Sequence, residues 1–329
     1  MEKKQDNLME ISDLTVRYNT DDAVVHAVNN FNLKLVRGEA RGLVGETGAG
    51  KTTLALSILR LLPERVGEVT GGSIVYDGQE LLNLPEAEML PLRGKRISMI
   101  FQDPMTSLNP TQTVGDQILK VLNLHFPEMT REEKNKRVDE MMTLVGIPPQ
   151  RKKSFPHEFS GGMKQRVVIA MALVAEPELL LADEPTTALD VTIQAQILEL
   201  MKQLREKFNT SVMLITHDLG VVAQFCDSVS VVYAGRVVEY GPVEIVFQRK
   251  ENHPYTAGLF NCIPNLHDDQ PRLHPIAGHM ADPRVEYKGC CFADRCEYAT
   301  ERCRTEAPSM HVCGEHGILC HRYAEKEEF

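Results

Sequence analysis

The stretch Gly45-Glu46-Thr47-Gly48-Ala49-Gly50-Lys51-Thr52-Thr53 satisfies G-x-x-x-x-G-K-[ST]. It is preceded by the strand-like run Ala40-Arg41-Gly42-Leu43-Val44 and followed by Leu54, Ile58, Leu61 and Leu62, which recur at helical spacing until Pro63. Strand, glycine loop and helix in that order commit this part of the chain to an α/β architecture. Glycines at 45, 48 and 50 let the loop turn its N–H groups inward around an anion, and a helix opening near Lys51 adds its positive end. Phosphate is the natural guest. Lys51 is expected to reach the β- and γ-phosphates of a nucleotide, and the Thr52 hydroxyl to coordinate Mg²⁺.

The pattern around the loop extends the α/β reading. Ile11 to Tyr18, Gly71 to Gly78 and Ile97 to Phe101 read as strands, and Val114 to Leu122 and Arg131 to Val145 as helices. The chain then alternates: helix over Gly162 to Ala175, strand over Leu179 to Ala182, helix over Thr192 to Phe208, strands over Ser211 to Thr216 and Val229 to Tyr233. Such alternation predicts a mostly parallel sheet. Regular patterning fades after Glu239-Tyr240-Gly241-Pro242, and a boundary is expected near residue 254. At 329 residues the chain can bury a substantial core without disulfides.

Composition excludes several function classes. A formal charge of −10 speaks against a general nucleic-acid binder, which needs clustered Lys and Arg. No apolar run reaches membrane-spanning length; Val167 to Ala175 stops at Glu176-Pro177. The polar start, Met1 to Asp6, has no signal-peptide core behind it, so a cytoplasmic place is expected. Six of the eight cysteines, Cys290, Cys291, Cys296, Cys303, Cys313 and Cys320, crowd the final segment, which points to metal before disulfides.

Two more segments carry chemistry. Leu179-Leu180-Leu181-Ala182-Asp183-Glu184-Pro185 ends an apolar run in two carboxylates; Asp183 is placed to hold Mg²⁺ through water, and Glu184 to accept a proton from attacking water. Phe159-Ser160-Gly161-Gly162-Met163-Lys164-Gln165-Arg166 puts a hydroxyl and two glycines at a helix start, a good anion receptor. His217 also follows an apolar strand, within reach of a γ-phosphate by its position.

Together these elements resemble the ATP-binding cassette (ABC) transporter ATPases over roughly residues 8–250. The resemblance implies a P-loop (RecA-like) core with an antiparallel β subdomain, a helical subdomain at about 103–165 and a small Cys-rich extension. It divides the chain into an ATPase domain, 8–254, and a C-terminal extension, 255–329. It makes Tyr18 the adenine-stacking residue and Gln102 the Q-loop glutamine that senses Mg²⁺ and γ-phosphate. Thr187-Ala188-Leu189-Asp190 becomes the D-loop, and Ser160, Gly161 and Gly162 close on ATP held by an opposite subunit. Met163 and Phe159 depart from the usual Gln and Leu but leave the serine and glycines in place.

Asp103-Pro104-Met105-Thr106-Ser107-Leu108-Asn109-Pro110 and His253-Pro254-Tyr255-Thr256-Ala257-Gly258-Leu259 are similar to segments of the oligopeptide/dipeptide (peptide/nickel) importer ATPases. That resemblance implies a second ABC ATPase subunit, identical or not, two transmembrane permease subunits and an extracytoplasmic peptide-binding protein, with the chain on the cytoplasmic face of the membrane. The cargo stays open between peptides and nickel or another small solute, and a soluble ABC ATPase acting on nucleic acid is the distant alternative. In members with this tail, cysteines matching Cys290, Cys296, Cys303 and Cys320 can hold a [4Fe-4S] cluster. The spacing also admits Zn²⁺, with His311, His316 and His321 as further donors.

Overall fold

Buried strands set the frame of the computed structural model, which describes residues 6–187, 189–248, 250–262 and 275–324. Twelve strands occur among them: β1 (Asn7–Asn19), β2 (Val24–Val36), β3 (Ala40–Val44), β4 (Gly67–Tyr76), β5 (Gln79–Glu80), β6 (Ile97–Ile100), β7 (Leu179–Asp183), β8 (Ser211–Thr216), β9 (Ser228–Tyr233), β10 (Arg236–Pro242), β11 (Met310–Cys313) and β12 (His316–Leu319). The chain divides into two compact units.

One unit is built from Leu35–Ala40 and Asn83–Ile215. Its sheet pairs β6 with β7 and β7 with β8, both parallel. Every residue of β7 and β8 is buried, as expected for strands covered on both faces and therefore apolar throughout. Around them lie the helices Val114–His125, Arg131–Leu144, Gly161–Leu173 and Val191–Phe208. The second of these starts at a capping box: the Thr130 side chain accepts from the Glu133 N–H, and Glu133 accepts from the Thr130 N–H at 2.7 Å. Ahead of β7, the Glu178 carboxylate accepts from Arg96 Nε at 2.7 Å and from Arg37 Nη1 at 2.9 Å.

The other unit comprises Leu8–Lys34, Arg41–Leu82 and the described residues from Thr216 onward. Its antiparallel sheet has the order β2-β1-β4-β5. A second sheet joins β3 to β9 in parallel and continues through β10 and β12 to β11, all antiparallel. The hairpin β11–β12 thus belongs to the same unit as the strand that leads into the phosphate loop. Its docking is polar as well as apolar: Glu239, with no exposure, meets His316 Nε2 at 2.8 Å, Asn252 Nδ2 at 2.7 Å and the His253 N–H at 2.8 Å. Burial holds the His253 ring pKa down at about 3, so this imidazole is neutral and its Nδ1 accepts from the Tyr255 N–H.

One helix is shorter than its apolar spacing predicts. It runs only over Lys51–Ile58, because Arg60 takes a left-handed φ of 53° and the Leu61 N–H turns back to the Leu56 carbonyl. No helix among the described residues is long and apolar enough to cross a membrane.

The two arginines hold the Glu178 carboxyl below the ordinary glutamate range, Arg96 most strongly and Arg37 after it. A depressed pKa contributes stability above the unfolded value, about 4.5, and that contribution disappears as pH falls through the folded value. Glu178→Gln is therefore expected to lose stability at neutral pH and to converge on the parent in acid, measured by urea unfolding at a series of pH values.

Candidate functional site

The phosphate-loop glycines are set by backbone packing as much as by turn geometry. A Cβ on Gly45 would lie 2.2 Å from the Val232 carbonyl oxygen, and one on Gly50, at φ +94°, 2.1 Å from that of Ala27. The loop is thereby pressed against β9 on one side and β2 on the other. Lys51 opens the helix, is 7% exposed, and its Nζ donates to the carbonyls of Gly45 at 2.7 Å and Glu46 at 2.9 Å. Thr47, Gly48 and Thr52 are exposed along the same rim. Tyr18, at the end of β1, donates through its hydroxyl to Thr53 Oγ1 at 3.1 Å, which ties the expected adenine-stacking ring to the loop's own helix. The arrangement suits a phosphate ester: a glycine loop ahead of a helix start, one cation and the exposed hydroxyls of Thr47 and Thr52.

In the other unit, parallel β6 and β7 deliver Gln102 and the two carboxylates to the same edge, since neighbouring parallel strands end together. Asp183 is 1% exposed. Glu184 has a left-handed φ of 47°, and its N–H extends the ladder by donating to Ile215 O at 2.8 Å. Its Oε2 accepts from Thr187 Oγ1 at 2.9 Å and from Gln102 Nε2 at 3.3 Å. A non-glycine residue in this conformation persists only where its surroundings over-determine it, as these three hydrogen bonds do. Ser160 and Gly161 are exposed at the start of a thirteen-residue helix, with Ser160 Oγ accepting from the Met163 N–H at 3.4 Å. Gly162 is required there because a Cβ would meet Ile193 Cγ2 at 2.6 Å.

Two further predicted residues serve helix starts or strand ends. Asp190 caps Val191–Phe208 by accepting from the Ile193 N–H at 3.0 Å. Ala188, within the expected D-loop, lies outside the described residues. His217 stands exposed directly after β8, ahead of the capping residue Asp218.

The expected metal site is not supported by the arrangement of its donors. Among the described residues no group of three or more His, Cys, Asp or Glu is gathered to hold a metal ion. Cys290, Cys296, Cys303 and Cys320 lie close enough to perturb one another, yet burial pushes the Cys290 thiol up to about 12 and raises those of Cys296 and Cys320. The histidines that kept zinc open are engaged elsewhere: His316 with Glu239, His311 with Ser309 Oγ at 3.1 Å, and His321 with Glu306 O at 3.0 Å. Among the described residues the arrangement therefore does not support a [4Fe-4S] cluster or a Zn²⁺ site.

An ABC transporter family profile matches residues 28–187, and the oligopeptide/dipeptide transporter C-terminal region matches residues 238–303. The oligopeptide transport ATP-binding protein OppD of Haemophilus influenzae is 47% identical over 98% of each chain. This chain belongs to the ABC transporter family. OppD of Salmonella typhimurium is 49% identical over 92% of this chain and 89% of its own, and OppD of Bacillus subtilis 48% identical over 98% and 91%. Among solved structures, the dimeric post-hydrolysis state of the ATP-binding cassette MJ0796 bound to ADP and Pi superposes with a TM-score of 0.64 at 28% identity, covering 71% of this chain and 98% of that one. The cassette cbiO1 from Clostridium perfringens, part of the transporter complex cbiONQ, gives 0.65 at 30% identity, covering 75% and 92%. Membership of this ABC family makes ATP hydrolysis the chain's chemistry.

Two residues that touch the ABC phosphate loop, Tyr255 and Arg295, escape sequence reasoning as site residues. Tyr255 sits in a segment noted for its resemblance, but nothing local marks its hydroxyl as a partner of Glu46; Arg295 reads as a surface charge between Asp294 and Cys296.

The glycine contacts generate a graded prediction. Gly45→Ala drives a methyl into a backbone carbonyl and is expected to cost about 1–3 kcal/mol, together with nucleotide binding. Gly48→Ala meets nothing within 4 Å and carries only the strain of φ +84°, about 1–2 kcal/mol. Thermal melts paired with ATP titration separate the two: only the first is expected to lose binding.

Proposed function

We propose that this chain is the ATP-hydrolysing subunit that energises import of di- and oligopeptides through an ABC transporter. What supports the cargo is identity of 47–49% to oligopeptide transport ATP-binding proteins, extending through the C-terminal region. In this reading the subunit works as one of a pair of cassettes on the cytoplasmic face, docked to two membrane permeases that receive peptides from an extracytoplasmic binding protein. The segment 103–110 faces the permeases.

The residues divide the work as follows. Tyr18 stacks on the adenine, while the backbone from Gly45 through Thr53 and the Lys51 ammonium neutralise the phosphates. When Mg²⁺ is bound, Thr52, Asp183 and Gln102 would be the residues to hold it, and the ion would neutralise charge on the phosphoryl being transferred. Glu184 accepts the proton of the attacking water, held in place by Thr187 and Gln102. His217 contacts the γ-phosphate. Ser160, Gly161 and Gly162 present their donors to ATP on the opposite subunit, and Asp190 lies at that junction. ATP binding closes the pair of cassettes; hydrolysis reopens it, which alternates the access of the permeases.

Glu184→Gln removes the base and keeps the shape. Its expected outcome is ATP binding at the parent's affinity, hydrolysis lower by roughly 10²–10⁴-fold, and a trapped closed dimer in size-exclusion chromatography with ATP. Near-normal turnover by that variant overturns the role of Glu184. For cargo, a strain lacking the gene is expected to lose uptake of labelled oligopeptides and to retain Ni²⁺ uptake; the reverse result assigns the engine to nickel.

A further inference from the structure

The first half of the phosphate loop is held by side chains from the far end of the chain. Glu46 receives two hydrogen bonds from Arg295, Nη1 to Oε2 at 2.7 Å and Nη2 to Oε1 at 3.1 Å, across 249 positions of sequence. The N–H of Glu46 donates to the Tyr255 hydroxyl at 2.9 Å, 209 positions away. Its carbonyl accepts from Lys51 Nζ at 2.9 Å. Every polar group of this one loop residue is therefore engaged, two of them by the C-terminal region and the third by the lysine that neutralises phosphate.

The groups that hold Glu46 are themselves fixed. The Arg295 side chain is 5% exposed; it donates through Nε to Ala277 O at 3.1 Å and lies over the rings of Tyr233 and Phe292 at 5.7 and 5.9 Å. Tyr255 has no exposure and packs against Tyr233 with ring centroids 4.7 Å apart and against Phe292 at 5.5 Å. Bulk stability does not demand such an arrangement, because a sheltered ion pair is often replaceable by apolar side chains of similar volume without loss. What an apolar replacement cannot do is fix the direction of the Glu46 peptide. That peptide carries one of the carbonyls with which phosphate competes for Lys51.

We propose that Arg295 and Tyr255 are positioning residues for the nucleotide, acting through Glu46, so that the C-terminal region sets the geometry of the phosphate loop. The proposal rests on the reading of residues 45–53 as that loop. Because coupling between two sites is reciprocal, ATP on the loop must change the hold on Arg295 in return. ATP is then expected to alter hydrogen exchange of the segment 289–296 as well as that of the loop.

The test uses the full-length chain with Arg295→Gln, Glu46→Gln, their double variant, Arg295→Lys and Tyr255→Phe, each measured for ATP affinity, KM, kcat and melting temperature. Arg295→Gln and Glu46→Gln are each expected to weaken ATP binding about tenfold, raising KM while kcat at saturation holds. The double variant should be no worse than either single one, since both break the same contact. Arg295→Lys should recover only part of the affinity, since an ammonium lacks the two-pronged fork. Tyr255→Phe removes one hydroxyl from a ring that keeps its packing, and is expected to weaken binding even if the arginine variants do not fold. Changes below about twofold in all single variants, or losses that simply add in the double, overturn the proposal. Lys51→Ala keeps the two readings apart. Loss of binding there, with unchanged affinity in the Arg295, Glu46 and Tyr255 variants, sinks the positioning role alone; retained binding sinks the phosphate-loop reading beneath it.

Discussion

Two backbone carbonyls occupy the space where side chains of Gly45 and Gly50 would begin, and the phosphate-binding geometry depends on that contact. Val232 lies in β9 and Ala27 in β2, so the loop is clamped between strands of two different sheets of its unit. Glycine here is a matter of volume before it is one of flexibility. A loop held so closely brings Lys51 to the helix start with its ammonium already turned toward the loop carbonyls, and little reorganisation is needed to present it to an anion.

The buried half of the fold was readable because burial writes itself into consecutive residues. β7, β8 and β9 are covered on both faces, and their sequences are correspondingly short, apolar and bounded by turns. The helix Arg131–Leu144 shows what a capping box fixes locally, with Thr130 and Glu133 at its start. β2 is less sharply marked, since Asn29, Asn30 and Asn32 interrupt its alternation and Asn30 takes a left-handed φ of 46°. β10 ends in Gly241-Pro242, which imitates a turn, and β11 and β12 carry His311 and His316, two of the histidines expected as further zinc donors.

The expectation of histidine donors has a definite physical origin. Sequence displays donor atoms but not what already holds them, and the carboxylate that engages His316 lies 77 positions away. The same blindness hid Arg295, whose partner is farther still. By contrast, Asp183 and Glu184 are legible because they close an apolar strand run, whereas Gln102 is marked only by the family resemblance. Their conformations were not visible in the same way: nothing in Asp-Glu-Pro announces the left-handed backbone of Glu184.

Glu239 gives the β11–β12 hairpin an unexpected weight. Its carboxylate has no exposure, and one of its oxygens meets His316, contributed by the β11–β12 hairpin. A stop codon upstream of residue 316 removes that imidazole and uncovers the β10 edge while leaving the acid in place. Losing a buried hydrogen-bond partner costs about 1–3 kcal/mol, a sizeable share of the stability of an ordinary domain. Such a nonsense allele would not yield a trimmed but serviceable motor; it would yield a polypeptide for the cell's proteases.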